Sequence, residues 1–308
     1  MGLKLSDAVR ILEVGPRDGL QNEKQPIPTE SKLRFIRGLI DAGINEIEAT
    51  SFVSPKWVLQ LADASELWAQ LPNGPIFSAL VPNLVGLERA LQVGVDRIAV
   101  FTAASEAFTL KNINMTIDQS LAAFEAVVGA FRHRFPYGWV RGYVSTAFEC
   151  PYSGRIRPEQ VVAVVRRLVS IGVNELSIGD TIGAAVPREV KELTSALLSE
   201  FPANMLAYHF HDTHSGAIAN VSQALEHGIR SFDSSAGGLG GCPYAPGASG
   251  NLATEDLVYF LERTGFHTGI NLELLTRASA EILGEVGKRQ EGWARTEQAS
   301  SASEACPK

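Results

Sequence analysis

Apolar residues along this chain recur in two rhythms that alternate from end to end. Runs with the three-to-four-residue spacing of an amphipathic helix give way to short β-branched stretches with the period of two expected of a strand. Segments 41–47, 92–98, 170–176 and 226–232 share one grammar: a helix-like run closes on Gly, then re-enters with a β-branched residue, two mostly polar residues and an apolar alternation. Gly43, Gly94, Gly172 and Gly228 are therefore expected just past a helix, where left-handed backbone closes the last turn cheaply. With these joints as anchors, the strands are predicted at 11–17, 46–52, 77–81, 97–102, 141–147, 175–179, 206–211 and 231–235. Between them Thr29, Thr116, Pro158, Pro187 and Thr254 each set a cap, a proline or an acid in a first helical turn.

Strict alternation implies a parallel sheet covered by helices. The units are of similar length and no glycine fingerprint follows the first strand, so the pattern fits a closed (β/α)₈ TIM barrel better than an open doubly wound sheet. Residues 271–287 read as one further helix. The expected organisation is a single catalytic domain over 1–290 and a flexible Ser/Ala-rich tail over 291–308.

Composition narrows the function classes. The 308 residues are 45% hydrophobic and carry a formal net charge of -7 without Lys/Arg blocks, which argues against nucleic acid as a partner. No apolar run approaches the roughly 20 residues of a membrane span, and the first residues lack the apolar stretch of a signal peptide, so a cytoplasmic protein is expected. Cys150, Cys242 and Cys306 follow no metal-ligand spacing, which indicates neither a disulfide framework nor a zinc site.

If the fold is a barrel, its strand C-terminal ends form the active-site rim, and here they are polar. The first ends in Gly15-Pro16-Arg17-Asp18, the second carries Glu46 and Glu48 and ends Thr50-Ser51, the sixth ends Gly179-Asp180-Thr181 and the seventh His209-Phe210-His211-Asp212. His209 and His211 share a strand face, which is the lumen if Phe210 packs outward, and such a pair suits one divalent metal. Asp18 is the natural third ligand, because the first strand of a closed barrel returns to the last. With Asn251 as a further candidate, the set describes a hard octahedral site for Mg²⁺ or Mn²⁺. Segment 237–250 is too rich in Gly and Pro to be helix; it reads as a loop over the barrel mouth, with Cys242 inside it either as a structural thiol or as an acid or thiolate facing the site.

Longer motifs, from Val14 to Lys24, from Glu48 to Trp57, and from Gly238 through Cys242 and Asn251 to Asp256, closely resemble the 3-hydroxy-3-methylglutaryl-CoA lyase family, and the resemblance runs from about residue 9 to residue 288. It implies a metal-dependent TIM-barrel lyase that splits this thioester into acetyl-CoA and acetoacetate by retro-Claisen scission, in leucine breakdown or ketone-body formation. It implies Asp18, His209, His211 and Asn251 as ligands to Mg²⁺ or Mn²⁺, and Arg17, Glu48, Asp180 and Cys242 as catalytic residues. Gln21, Ser51 and Thr181, with Arg17, are expected to touch the acyl-CoA substrate, and a homodimer or higher homo-oligomer is expected. The chain departs from the family pattern at Thr102, Glu149 and His214, which leaves the size of the accepted 3-alkyl group open. The competing readings are the same chemistry on a longer 3-alkyl substrate, a related acyl-CoA or 2-oxo-acid aldolase, and a silent CoA-binding barrel.

Overall fold

The computed structural model describes residues 8–240 and 250–289. Its strands are β1 (Arg10–Glu13), β2 (Glu46–Ser51), β3 (Ile76–Leu80), β4 (Arg97–Ala103), β5 (Trp139–Ser145), β6 (Glu149–Cys150), β7 (Gly154–Arg155), β8 (Glu175–Asp180), β9 (Leu206–Phe210) and β10 (Ser231–Ser234). All but β6 and β7 close into one parallel barrel in the order β1-β10-β9-β8-β5-β4-β3-β2, and β6 and β7 form a small antiparallel hairpin on the rim that the sequence pattern did not foreshadow. The expected (β/α)₈ TIM barrel is therefore the fold.

The helices are α1 (Thr29–Asp41), α2 (Ala64–Ala69), α3 (Leu84–Gln92), α4 (Glu106–Ile113), α5 (Ile117–Arg134), α6 (Pro158–Ile171), α7 (Pro187–Leu198), α8 (Ala217–Glu226), α9 (Thr254–Arg263) and α10 (Leu272–Glu285). Every helix start singled out from the sequence opens one of them. Thr116 closes a full capping box, accepting from the Gln119 amide at 3.0 Å while its own amide donates to the Gln119 side chain at 2.9 Å. The further C-terminal helix is α10, which leans on α1 where Gly38 meets Ala278. The tail from residue 291 lies outside the described residues.

The apolar core fills the shell between barrel and helices, with Ile47, Ile98, Leu176, Tyr208, Phe210 and Phe232 turned outward against helix residues such as Leu39, Val165 and Leu197. Phe210 thus packs outward as expected, which sends its neighbours in β9 to the lumen.

The joint glycines have the expected conformation: φ is +97° at Gly43, +80° at Gly94, +98° at Gly172 and +84° at Gly228. Two of them separate conformation from packing. A Cβ on Gly94 meets nothing within 4 Å, whereas one on Gly43 would stand 2.7 Å from the Gly269 carbonyl oxygen. Gly94→Ala is expected to cost about 1–2 kcal/mol through left-handed strain alone, and Gly43→Ala clearly more, because backbone cannot give way. Urea unfolding of the two variants checks the ranking; equal losses would refute the close approach.

Candidate active site

One boundary differs from expectation at the place that matters most. Strand β1 stops at Glu13, not at residue 17, and Gly15–Gly19 coil into a tight π-type turn. Pro16 has no N–H to give a ladder, and the amides of Arg17, Asp18 and Gly19 all converge on the Val14 carbonyl. The buried Glu13 carboxylate anchors the entry, accepting from the Gly15 amide at 2.7 Å and from the Ala236 amide at 2.9 Å. The turn aims consecutive side chains, Arg17 and Asp18, into the same mouth, which a strand's alternation would have sent to opposite faces.

Arg17 is buried. Its Nε donates to Glu48, its Nη1 to Asp18, and its guanidinium lies over the Tyr143 ring at 5.5 Å. The Tyr143 hydroxyl donates to the other Glu48 oxygen at 2.9 Å. Burial opposes the Arg17 charge, but Glu48 and then Asp18 outweigh it, so the guanidinium is held firmly protonated. Gln21 donates to Asp18 at 2.7 Å from one turn further on.

Asp18, His209 and His211 bring ligand atoms within 4.8 Å of one another. The strand β9 ends at Phe210, one residue early, and His211 instead bridges to Asn251. The Asn251 amide nitrogen donates to Asp18 at 2.9 Å and to the Leu239 carbonyl at 3.0 Å. Two buried atoms of this set, His211 Nδ1 and Asn251 Oδ1, have no hydrogen-bond partner among the described residues. Orphans of this kind are costly in a closed interior, and both are lone-pair donors that a hard divalent cation accepts. Protonation agrees. Burial would raise the Asp18 carboxyl, but Arg17 and then His209 hold it down at about 2, while burial and the His209 charge push His211 down to about 3. The residues therefore fit a divalent metal.

A cavity of about 330 Å³ opens over this set, bordered by Arg17, Asp18, Gln21, Tyr143, His209 and His211, with Leu80, Phe101 and Phe108 as its apolar wall. Thr181 also borders it and accepts from the Thr146 amide at 2.7 Å. Ser51, Glu48 and Asp180 do not. Ser51 is buried and accepts from the Val53 amide at 3.2 Å; Glu48 sits behind Arg17. Asp180 accepts the amides of Ala184 and Ala185 at 3.0 and 3.2 Å, which shapes the loop after β8, and burial raises its carboxyl to about 7. Cys242 lies outside the described residues. Of the positions that depart from the family pattern, Thr102 turns outward to the Ser120 hydroxyl at 2.8 Å, Glu149 is exposed on the hairpin, and His214 is exposed while Asp212 rather than His214 holds the first amide of α8 at 2.9 Å. None of these lines the cavity.

Residues 8–282 match the HMGL-like family. The chain belongs to that family. Its relatives include the mitochondrial hydroxymethylglutaryl-CoA lyase of Bos taurus, 50% identical over 91% of this chain and 86% of that protein. A Pseudomonas aeruginosa protein named 3-hydroxy-3-isohexenylglutaryl-CoA/hydroxy-methylglutaryl-CoA lyase is 48% identical over 93% of this chain and 95% of its own length. Among solved structures, a hydroxymethylglutaryl-CoA lyase from Pseudomonas aeruginosa superposes with a TM-score of 0.91 at 46% identity, covering 96% of this chain and 98% of that one.

Beyond the family motifs, the sequence reading missed the interior that supports the site. Charged and polar residues recur at every second position inside apolar strands: Glu46 and Glu48, Arg141 and Tyr143, Glu175 and Ser177, Ser231 and Asp233. That period was the signal, and all of these except Glu46 are buried. Arg141 donates to Glu175 at 2.7 Å and to Asp233. Glu13 and Glu255 were missed as well. Glu255 accepts from the Gly237 amide at 2.8 Å and from the Ser279 hydroxyl, and so ties the turn after β10 to α9 and α10.

Burial raises Glu255 from 4.5 to about 7. A carboxyl whose folded value is raised stabilises the fold below its unfolded value, and that contribution fades as pH rises through the folded one. The loss spans pH 4.5 to 7 and is worth at most about 3 kcal/mol. Glu255→Gln stays neutral, so its unfolding free energy is expected to fall less between pH 5 and pH 8 than the parent's; identical slopes in urea titrations would contradict a neutral Glu255.

Proposed function

We propose that this chain cleaves 3-hydroxy-3-methylglutaryl-CoA into acetyl-CoA and acetoacetate, with Mg²⁺ or Mn²⁺ held by Asp18, His209, His211 and Asn251. The observation that carries the reading is the fixed Arg17–Asp18 pair, which sets a buried cation beside a carboxylate of the candidate metal set over one cavity. The curated relatives, named for this activity at about half identity, support it independently.

The tertiary alcohol at C3 must lose its proton. The C2–C3 bond then breaks, its electron pair becomes the enolate of the departing acetyl thioester, and C3 becomes the ketone of acetoacetate. A bound divalent cation supplies Lewis acidity that lowers the proton affinity of the alcohol. Arg17 commits Nε and Nη1 to Glu48 and Asp18, so its remaining N–H groups are the preorganised donors for the thioester oxygen as enolate charge develops. Glu48 and Tyr143 lock that guanidinium from behind. The proton returned to C2 is assigned to Cys242. Asp180, raised by burial to about 7, stands back from the cavity, so it would take the alcohol proton only through a relay.

A second reading, the same scission on a longer 3-alkyl substituent, is favoured by the apolar wall of Leu80 and Phe101, which cluster with Ala99 and Tyr143 apart from the main core. One assay addresses both: acetyl-CoA release from the methyl substrate and from a longer 3-alkyl analogue, with Mg²⁺ or Mn²⁺. Release from the methyl substrate establishes the lyase, release from the analogue alone moves the specificity, and release from neither sinks the proposal.

A further inference from the structure

We infer that Asp233 is the positioning residue that fixes the His209 ring for the metal. The inference rests on the metal reading above.

Asp233 sits on β10 in register with His209 on β9, so the two side chains rise on the same face of neighbouring strands. It is 1% exposed, and every polar contact it makes pins it in place. Its Oδ1 accepts from Arg141, and its Oδ2 accepts from the Ser177 hydroxyl at 2.7 Å and stands 3.3 Å from His209 Nδ1. A carboxylate held by two other donors cannot swing away from the ring. Ionised beside a buried guanidinium, it can only accept. The contact with His209 is therefore a hydrogen bond only if Nδ1 carries the proton, and a neutral imidazole then presents its lone pair at Nε2.

Among the described residues no such holder stands against the other histidine: His211 Nδ1 has no partner there, and its ring stands 5.3 Å from that of His209 at 50°. Orientation within the candidate set is thus imposed at His209, from β10, by a residue that is not itself a ligand. Carboxylates in this relation to a metal-bound histidine fix its tautomer and raise its basicity, and their loss typically weakens metal affinity 10- to 100-fold. Arg141 completes the device, donating to Asp233 on one side and to Glu175 at 2.7 Å on the other.

The test is Mn²⁺ affinity of the full chain, read from the free-Mn²⁺ electron paramagnetic resonance signal. Asp233→Asn is expected to bind about 10- to 100-fold more weakly, while Glu175→Gln, which disturbs the same interior without touching His209, stays within about threefold. Long-range proton–nitrogen spectra of the metal-free chain at alkaline pH, with His209 assigned through His209→Gln, should show Nδ1–H in the parent and a mixture of tautomers in Asp233→Asn. If that variant fails to fold because Arg141 keeps only one of its two carboxylate partners, Arg141→Met/Asp233→Asn removes the Arg141–Asp233 pair, leaves Glu175 to Arg10, and should show the same loss of affinity. Parent-like Mn²⁺ binding by Asp233→Asn or by the double variant would overturn the inference and leave the metal reading standing. No Mn²⁺ binding by the parent would bring down both.

Discussion

Arg17→Gln is expected to lower kcat for acetyl-CoA release by about 10²- to 10³-fold, or roughly 3–4 kcal/mol of barrier, with a much smaller change in KM. The asymmetry follows from what Arg17 faces. The thioester oxygen is nearly neutral in the substrate and gains charge only as the carbon–carbon bond breaks, so a donor aimed at it acts on the transition state and not on binding. Glutamine can still donate to Glu48, and the Tyr143 hydroxyl already does so at 2.9 Å, so the buried Glu48 is not stranded and the fold should hold. Arg17→Lys is the sharper control: it keeps the charge but lacks the planar fork that reaches Glu48 and Asp18 together, and it too should lose most of the activity. Steady-state kinetics with saturating Mn²⁺ and a thermal melt of each variant check this. A kcat within tenfold of the parent for Arg17→Gln would remove Arg17 from the reaction.

Arg141→Met should destabilise the chain by about 3–5 kcal/mol, because breaking a buried ion pair from one side strands charge in a low-dielectric interior. Arg141 is 3% exposed and stands between Glu175 and Asp233, both buried. The deficit should depend on pH. In the parent, burial would raise the Asp233 carboxyl, but Arg141 and His209 outweigh it and hold it below its usual value, so its stabilising contribution is present at neutral pH and lost only in acid. Without Arg141 burial prevails, the carboxyl rises, and the folded variant takes up a proton as pH falls, which relieves the stranded charge. The stability gap between Arg141→Met and parent should therefore be smaller at pH 5 than at pH 8. Urea unfolding at both values measures it, and a gap that widens in acid would show that Asp233 does not depend on Arg141.

These expectations divide along the line between local and tertiary information. The barrel was legible because its rules are short-ranged. Glycine after a helix, a cap or proline before one, and period-two apolar runs each constrain a few consecutive residues, and all four joint glycines took the left-handed backbone their position required. His209 and His211 were legible for the same reason, since two residues apart on a strand means one face. Asp18 could be placed beside them because closure makes β1 a neighbour of β10.

What the sequence could not determine is how far each rule extends and where it yields. Arg17 and Asp18 look like the end of a strand, yet the carboxylate of Glu13, four residues before Arg17 and joined to Ala236 from the far end of the chain, coils them into a turn. Asp180 is an acid at a strand end in the sequence, and only the fold shows its oxygens accepting the amides of Ala184 and Ala185. Thr102 and Glu149 look like specificity positions on the rim, and strand alternation and a hairpin carry them away from the cavity. The pairing of Arg141 with Asp233, 92 residues apart, and of Asp233 with His209 depends on barrel register. Sequence by itself determined the elements, their order and the chemical types gathered at the mouth, because those follow from neighbours along the chain. Which of those side chains meet, which are neutralised by a partner and which are left with a lone pair to offer were decided only by closure of the sheet, because burial and electrostatic pairing depend on distance in space.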